Sequence, residues 1–310
     1  VPLTLSHTYL SPYTSSSGHA SNCFQVVWNI PEIVDCNICH NAEPACDEVM
    51  LHIQQDGTIS NIIDRSLASN AITTHGSVTE QTGSIFSVFP TGGQLYFNGT
   101  DDYLSVGDTS TFKWLHDGTT DYTVECWVYF KQFQQSLSSV IIATGGCSDD
   151  HGLRIQVSST GVFSFNIARG TAGQFHRVGI STTAASLDTW HHVVFVYRQQ
   201  EGYLYVDGNL VCDSTANAKL APSSQNSAQS LQVGRTYCNP NTHYTNFYIH
   251  DLRISKIATY TYTCGFTPPT TLLTKCCPPP VEPACDDVLF HLQSNTTNTT
   301  DPIIDVSGEN

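Results

Sequence analysis

The residues with the clearest chemical potential are the cysteines, of which the 310-residue chain has twelve. The spacing Cys36-x-x-Cys39-His40 has the form of a zinc-ligand pair or a c-type haem attachment motif. A second copy of this region reads Cys276-Cys277-Pro278, so both the spacing and the histidine are lost. Disulfides require only paired thiols, so we predict disulfide bonding and no metal site. The predicted disulfide cysteines are Cys23, Cys36, Cys39, Cys46, Cys126, Cys147, Cys212, Cys238, Cys264, Cys276, Cys277 and Cys285.

The cysteine connectivity stays open at this stage, because sequence alone does not choose between pairings. Cys126, Cys147, Cys212 and Cys238 can close two bridges in the middle of the chain. The remaining eight form two clusters of four, which can pair internally or with a neighbouring molecule.

Two features of the sequence predict where the protein is located: the cysteines, and three Asn-x-Ser/Thr sequons at Asn98, Asn295 and Asn298. An even cysteine count and predicted N-glycosylation indicate a secreted, extracellular protein. The sequence begins at Val1 without a signal peptide, as expected of an already processed chain.

The charge and hydropathy of the chain argue against two classes of partner, nucleic acids and the membrane interior. The formal charge of −15 disfavours nucleic acid. No segment approaches the roughly 18 apolar residues of a membrane helix, so we predict no membrane insertion.

The chain contains an internal repeat with a period of about 240 residues. Residues 43–54 return as 282–293, and residues 62–66 return as 303–307. The sequence therefore holds one whole module and the opening of a second. An unpaired opening strand is a template for strand addition, so we predict an assembly strand that uses Val288, Phe290 and Leu292.

Between the two copies, short segments alternate with period two and are separated by turn residues. Residues 122–130 place Tyr122, Val124, Cys126, Val128 and Phe130 on one face. Asp207-Gly208 between two apolar segments predicts a hairpin, because the turn needs positive φ. A second hairpin is predicted for residues 153–167, and no long helical pattern occurs. The pattern is that of an all-β protein.

These landmarks resemble the laminin-G-like and concanavalin A-like sandwich family over roughly residues 46–269. The resemblance rests on the segments 95–104, 122–130, 190–193, 204–208 and 247–254, in this order. It implies a two-sheet antiparallel jelly-roll sandwich with Cys/Pro-rich flanking segments. We predict a Ser/Thr-rich arm and Cys-rich linker over 1–45 and the sandwich over 46–269. Residues 270–310 are predicted as a Cys/Pro-rich linker followed by the opening strand of a second repeat.

The resemblance also directs attention to carboxylates. Catalytic members of such a family carry two carboxylates on one strand face, about 5 Å apart. Glu125 stands alone here, between Thr123 and Trp127, so we predict that the protein is not an enzyme.

Calcium-binding relatives suggest three alternative places for a calcium site, namely Asp101 with Asp102, Asp149 with Asp150, or Asp251. Solvated loop charge is the better interpretation, and no cofactor is predicted.

Two functions are compatible with these features. The leading hypothesis is a structural subunit of an extracellular fibre, appendage or coat, whose partners are copies of itself. The alternative is a lectin-like or adhesion module, with a glycan or cell-surface ligand stacked on tyrosines such as Tyr244 in the loop 241–246. An accessory domain of a larger secreted hydrolase is a third interpretation.

Overall fold

A computed structural model describes twelve ranges of the chain, and strands dominate them. They form two large antiparallel sheets on either side of one hydrophobic core. The described ranges are 43–55, 61–82, 93–135, 138–146, 151–168, 175–213, 226–227, 229–237, 243–260, 265–273, 292–293 and 304–305.

The larger sheet consists of eight described strands. In chain order they are β1 (Val49–Ile53), β3 (Thr79–Thr82), β4 (Gly93–Asn98), β6 (Tyr122–Gln132), β11 (Trp190–Arg198), β12 (Glu201–Val206), β13 (Asn209–Asp213) and β17 (Asn246–Ser255). Their spatial order is β13-β12-β11-β6-β17-β4-β3, and β1 also pairs with β17. Segments far apart in sequence therefore meet at β6 and β17, in the middle of the sheet.

The smaller sheet consists of seven described strands. They are β2 (Ile72–His75), β5 (Tyr103–Val106), β7 (Ser139–Ala143), β8 (Leu153–Val157), β9 (Val162–Ala168), β10 (Phe175–Ala184) and β14 (Leu231–Val233). Their order is β10-β9-β8-β7-β14-β5-β2. The predicted two-sheet all-β sandwich is confirmed.

Short elements complete the described structure. Two-stranded ribbons join β15 (Arg235–Thr236) to β16 (His243–Tyr244) and β18 (Leu292–Gln293) to β19 (Ile304–Asp305). Single 3-10 turns span Cys46–Glu48 and Lys113–His116. Among the described residues, no helix has the length and apolar character needed to cross a bilayer.

The alternation predicted for residues 122–130 places β6 correctly. Val124, Val128 and Phe130 lie in the core between the sheets. The intervening positions, among them Glu125 and Tyr129, face outward, since successive side chains of a strand point to opposite faces. β6 pairs with β11 on one side and β17 on the other.

The predicted hairpin turn at Asp207-Gly208 is also confirmed. Both residues have positive φ, 51° and 78°. A Cβ atom on Gly208 would lie 1.8 Å from the carbonyl oxygen of Phe266, so glycine is required both by conformation and by the close approach of this segment.

The opening strand β1 is fixed by an aspartate-centred turn. The Asp64 carboxylate accepts hydrogen bonds from the backbone N–H groups of His52, Ser66 and Asn70, at 2.8 to 2.9 Å. β1 and this turn are the segments that the sequence repeats at 288–293 and 303–307.

The second copy of the opening segment is described only in part. Leu292 of the predicted assembly strand lies in β18, opposite Asp305 of β19. Val288 and Phe290 fall outside the described residues, as do residues 1–42 of the predicted arm and linker. Their roles stay predictions.

Two of the predicted disulfide cysteines, Cys46 and Cys126, are free thiols in this structure. The physical reason is clear for Cys126, whose side chain is 1% exposed and points from β6 into the apolar core. Burial raises the pKa of its thiol, which stays protonated.

The other ten cysteines stay predicted disulfide partners. Only the backbone of Cys212 is described. The remaining nine lie outside the described residues, namely Cys23, Cys36, Cys39, Cys147, Cys238, Cys264, Cys276, Cys277 and Cys285.

A thiol-labelling experiment tests the free state of Cys126. Without reductant, we expect its peptide to resist alkylation in the native protein and to be alkylated after denaturation, as read by peptide mass spectrometry. A Cys126→Ala variant provides the control for peptide assignment. Resistance to labelling in the denatured, unreduced protein would mean that Cys126 is disulfide-bonded.

Candidate functional site

Four aromatic side chains stand in one line across the outer face of the larger sheet. They come from four adjacent strands: Tyr96 from β4, Tyr248 from β17, Tyr129 from β6 and Trp190 from β11. The strand register pairs Tyr248 with both Tyr96 and Tyr129, and pairs Tyr129 with Trp190. We call these four residues the aromatic row.

The rings of the aromatic row contact one another. The ring centroids are 4.8 Å apart for Tyr96 and Tyr248, 5.7 Å for Tyr248 and Tyr129, and 5.4 Å for Tyr129 and Trp190. Tyr248 is 8% exposed and the other three are half-buried. Aromatic pairs at these distances attract one another, so the four rings form one continuous aromatic strip.

An ion pair lies beside the aromatic row. The Lys131 ammonium is 5.6 Å from the centre of the Tyr129 ring and 2.5 Å from an Asp188 oxygen. The pair raises the pKa of Lys131 and lowers the pKa of Asp188, mainly through their mutual hydrogen bond. Both side chains are about half exposed, at 42% and 57%, so the pair adds little stability but offers a donor and an acceptor.

The adjoining part of the same face contains Glu125, the carboxylate considered for catalysis. Glu125 is 1% exposed and accepts hydrogen bonds from Arg253 Nε at 2.7 Å and from the Tyr260 hydroxyl at 2.6 Å. Arg253 also pairs with Glu43. Burial raises the pKa of Glu125, while Arg253 and the Tyr260 hydroxyl oppose that shift. The carboxylate is therefore held in a buried ion network.

A second buried group adjoins this network. The Asp251 carboxylate accepts hydrogen bonds from Gln54 at 3.0 Å and from the backbone N–H of Leu273 at 2.7 Å, and lies 2.7 Å from His52 Nε2. Leu272 packs against Trp127. The contacts of the sandwich thus continue four residues beyond the predicted boundary at 269, and residues 265–273 cover this half of the face.

The aspartates considered for calcium serve as hydrogen-bond acceptors. Asp102 accepts the backbone N–H groups of Ser77 and Asn98, and Asp101 accepts the side-chain amide of Asn98. Among the described residues, no three His, Cys, Asp or Glu side chains are grouped to hold a metal ion. Asp149 and Asp150 lie outside them.

The amide of Asn98 takes part in its turn, since its oxygen accepts the backbone N–H of Thr100 at 2.8 Å. N-glycosylation of Asn98 stays a prediction. The sequons at Asn295 and Asn298 lie outside the described residues.

Tyr244, the tyrosine selected from the sequence, lies away from the aromatic row. It belongs to β16 and is 6.2 Å from Tyr103 of the smaller sheet, with the Arg235 guanidinium 5.8 Å from its ring. The aromatic row itself was missed. Period-two alternation indicates that Tyr129 faces outward, but only the strand register shows which distant residues stand beside it.

The sequence matches the model of one protein family over residues 97–259, and that family is described as the concanavalin A-like lectin/glucanases superfamily. A search of the curated proteins finds no match.

Three binding domains are among the solved structures similar to this chain. The binding domain of Paraclostridial Mosquitocidal Protein 1 has a TM-score of 0.51 and 12% identity over 69% of this chain and 50% of that one. The botulinum neurotoxin serotype C1 binding domain has a TM-score of 0.50 and 11% identity, over 69% of this chain and 49% of that one. The receptor binding domain of botulinum neurotoxin C/D mosaic serotype has a TM-score of 0.49 and 13% identity, over 69% of this chain and 49% of that one. The chain therefore spans about half the length of these structures, and the likeness concerns the fold.

The buried histidine beside Glu125 predicts a pH response. Burial lowers the pKa of His192 to about 4, whereas an unfolded chain binds the proton near the ordinary value of about 6.5. Stability should therefore fall as the pH drops from about 6.5 toward about 4, by about 3 kcal/mol. Denaturant unfolding at several pH values measures this loss.

His192→Gln, which cannot gain the proton, is the matched variant. We expect its stability to depend less on pH within this window, and to run parallel to wild type above about pH 7. Equal slopes for both proteins between about pH 6.5 and 4.5 would contradict the assignment.

Proposed function

Because this chain belongs to the concanavalin A-like lectin/glucanases superfamily, we propose that it is a lectin-like protein that holds a saccharide on the aromatic row. The single observation that carries the proposal is the alignment of Tyr96, Tyr248, Tyr129 and Trp190 across four strands. This function is the alternative of the two deduced from the sequence.

The chemistry of the aromatic row suits a saccharide. A sugar ring presents an apolar C–H face and a rim of hydroxyl groups. Half-buried aromatic rings offer flat apolar surface, and specificity comes from a few polar groups around it. The pair formed by Lys131 and Asp188 supplies a donor and an acceptor beside the row.

The length of the row argues for more than one sugar ring. Neighbouring strands in a sheet are about 4.8 Å apart, so four rings on adjacent strands extend over about 15 Å. We infer that the ligand is an oligosaccharide that crosses the strands.

Binding without catalysis is the activity that fits this face. Glu125 is the one carboxylate of β6 on the outer face, and its two oxygens are occupied by Arg253 and Tyr260. A general acid must reach the glycosidic oxygen, which a buried, ion-paired carboxylate does not.

We propose that the protein works outside the cell, as its sequons indicate.

Truncation of the row tests the proposal. We expect Trp190→Ala and Tyr129→Ala to weaken binding on a glycan array at least about tenfold each, because each removes a stacking surface worth about 1.4 kcal/mol. Leu67→Ala is the matched control, since Leu67 is also apolar, is 44% exposed and lies outside the row. Retention of full affinity by both folded row variants would refute the proposal, as would the absence of any glycan ligand.

A second function, assembly into an array, is favoured by the contacts that hold the opening segment. β1 pairs with β17, where His52 contacts Asp251, and Glu43 pairs with Arg253 just before β1 begins. The repeat retains both anchoring side chains, as His291 and Glu282. We infer that residues 282–293 can displace the opening segment 43–54 of another module and take its place beside the β17 of that module.

Disruption of this segment tests assembly. We expect Phe290→Asp to reduce the mass of assembled particles measured by light scattering and to abolish filaments in electron micrographs, because it places a charge on a strand that must pack. Thr271→Asp, which introduces the same charge at an exposed position outside the repeated segments, is the control. Unchanged particle mass in Phe290→Asp would remove strand addition as a mechanism.

A further inference from the structure

An arginine surrounded by tyrosines lies on the outer side of the smaller sheet, apart from the aromatic row. The Cζ atom of Arg235 is 4.1 Å from the centre of the Tyr103 ring, 5.7 Å from Tyr237 and 5.8 Å from Tyr244. His75 stacks on Tyr103 with a centroid distance of 4.0 Å and an interplanar angle of 1°. We call these five residues the rim cluster.

The charge of Arg235 is not balanced within the described part of the chain. No described carboxylate lies within ion-pair distance of it, and its guanidinium makes no hydrogen bond there, although Nε is enclosed. Arg253, by contrast, pairs with two glutamates. Acidic residues outnumber basic ones by 27 to 12 in this sequence, so an arginine with no carboxylate partner among the described residues is unexpected.

The tyrosine rings determine how the arginine can be used. Cation–π contacts hold a guanidinium over an aromatic face and leave its edge free to donate. Two parallel N–H donors match the geometry of one carboxylate. The rim cluster therefore presents an oriented pair of donors at a half-buried position.

The net charge of the protein and the tyrosines around Arg235 indicate which class of anion the arginine can bind. The net charge of −15 repels polyanions such as nucleic acid over long range, so a ligand with a single negative charge is favoured. Tyr237, which is 42% exposed, and half-buried Tyr244 add flat apolar surface and hydroxyl groups beside the charge. A small ligand that has one carboxylate, hydroxyl groups and a C–H face satisfies all these groups.

We propose that the rim cluster is a binding site for a saccharide that carries one carboxylate, with Arg235 as the carboxylate ligand and Tyr237 and Tyr244 as the sugar contacts. The site is separate from the aromatic row and does not depend on it.

Calorimetric titration with glucuronic acid, its methyl ester, glucose and acetate tests the proposal. We expect glucuronic acid to bind, with the ester and glucose at least about tenfold weaker, because they lack the charge that Arg235 binds. Acetate should also bind more weakly, because it has no sugar ring. Acetate binding as tightly as glucuronic acid would overturn the saccharide assignment.

Variants assign the site. Arg235→Gln should lose glucuronic acid binding, and Arg235→Lys should retain a weakened part of it, since an ammonium keeps the charge but not the two parallel donors. Tyr237→Ala should weaken glucuronic acid but not acetate. Glucuronic acid binding at wild-type strength in folded Arg235→Gln, or no binding to wild type, would overturn the proposal.

Trp190→Ala separates the two sites. It should leave glucuronic acid binding unchanged, whereas Arg235→Gln should leave binding of a neutral oligosaccharide to the aromatic row unchanged. Failure at one site is therefore distinguishable from failure at the other.

Discussion

The ion pair between Arg253 and Glu125 is the interaction on which the larger sheet depends. Both side chains are 1% exposed and lie on the neighbouring strands β17 and β6. Burial of two charges is costly, and removal of one partner from such a pair typically costs about 3–5 kcal/mol. Glu43 and Tyr260 supply the additional partners. Since one precedes β1 and the other follows β17, the ion network ties both ends of the module to its central strands.

The same network divides the outer face of the sheet. On one side, residues 265–273 fold back over it, with Phe266 packed 4.3 Å from Tyr260 and Leu272 against Trp127. The aromatic row begins one outward-facing position beyond Trp127 on β6. The last residues of segment 265–273 and the row are thus adjacent, so this segment also determines where the uncovered part of the face begins.

Local features of the sequence predicted the fold well, because the decisive signals were themselves local. The alternation of residues 122–130 and the Asp207-Gly208 turn each depend on a few consecutive residues. The site depends instead on register between distant strands, and β17 shifts its register on β6 between His250 and Arg253. No spacing in the sequence shows that shift, which brings Arg253 opposite Glu125.

For two residues, the burial in the structure differs from what the residue type usually indicates. An arginine is ordinarily exposed, yet Arg253 is among the largest fully buried side chains. A cysteine in an even set suggests a disulfide, yet Cys126 lies on the core side of β6, where its apolar neighbours enclose it.

Because the thiol of Cys126 is enclosed in the core, the order of core packing and disulfide formation matters when the chain folds under oxidising conditions. An exposed thiol exchanges with disulfides through its thiolate, so an unprotected Cys126 would compete for partners among the other cysteines. Withdrawal of this thiol requires β6 to be packed between β11 and β17 and closed over by the second sheet. We expect the sandwich to consolidate before the predicted disulfides of the flanking cysteine clusters form, because the packed core then withholds Cys126 from exchange with them.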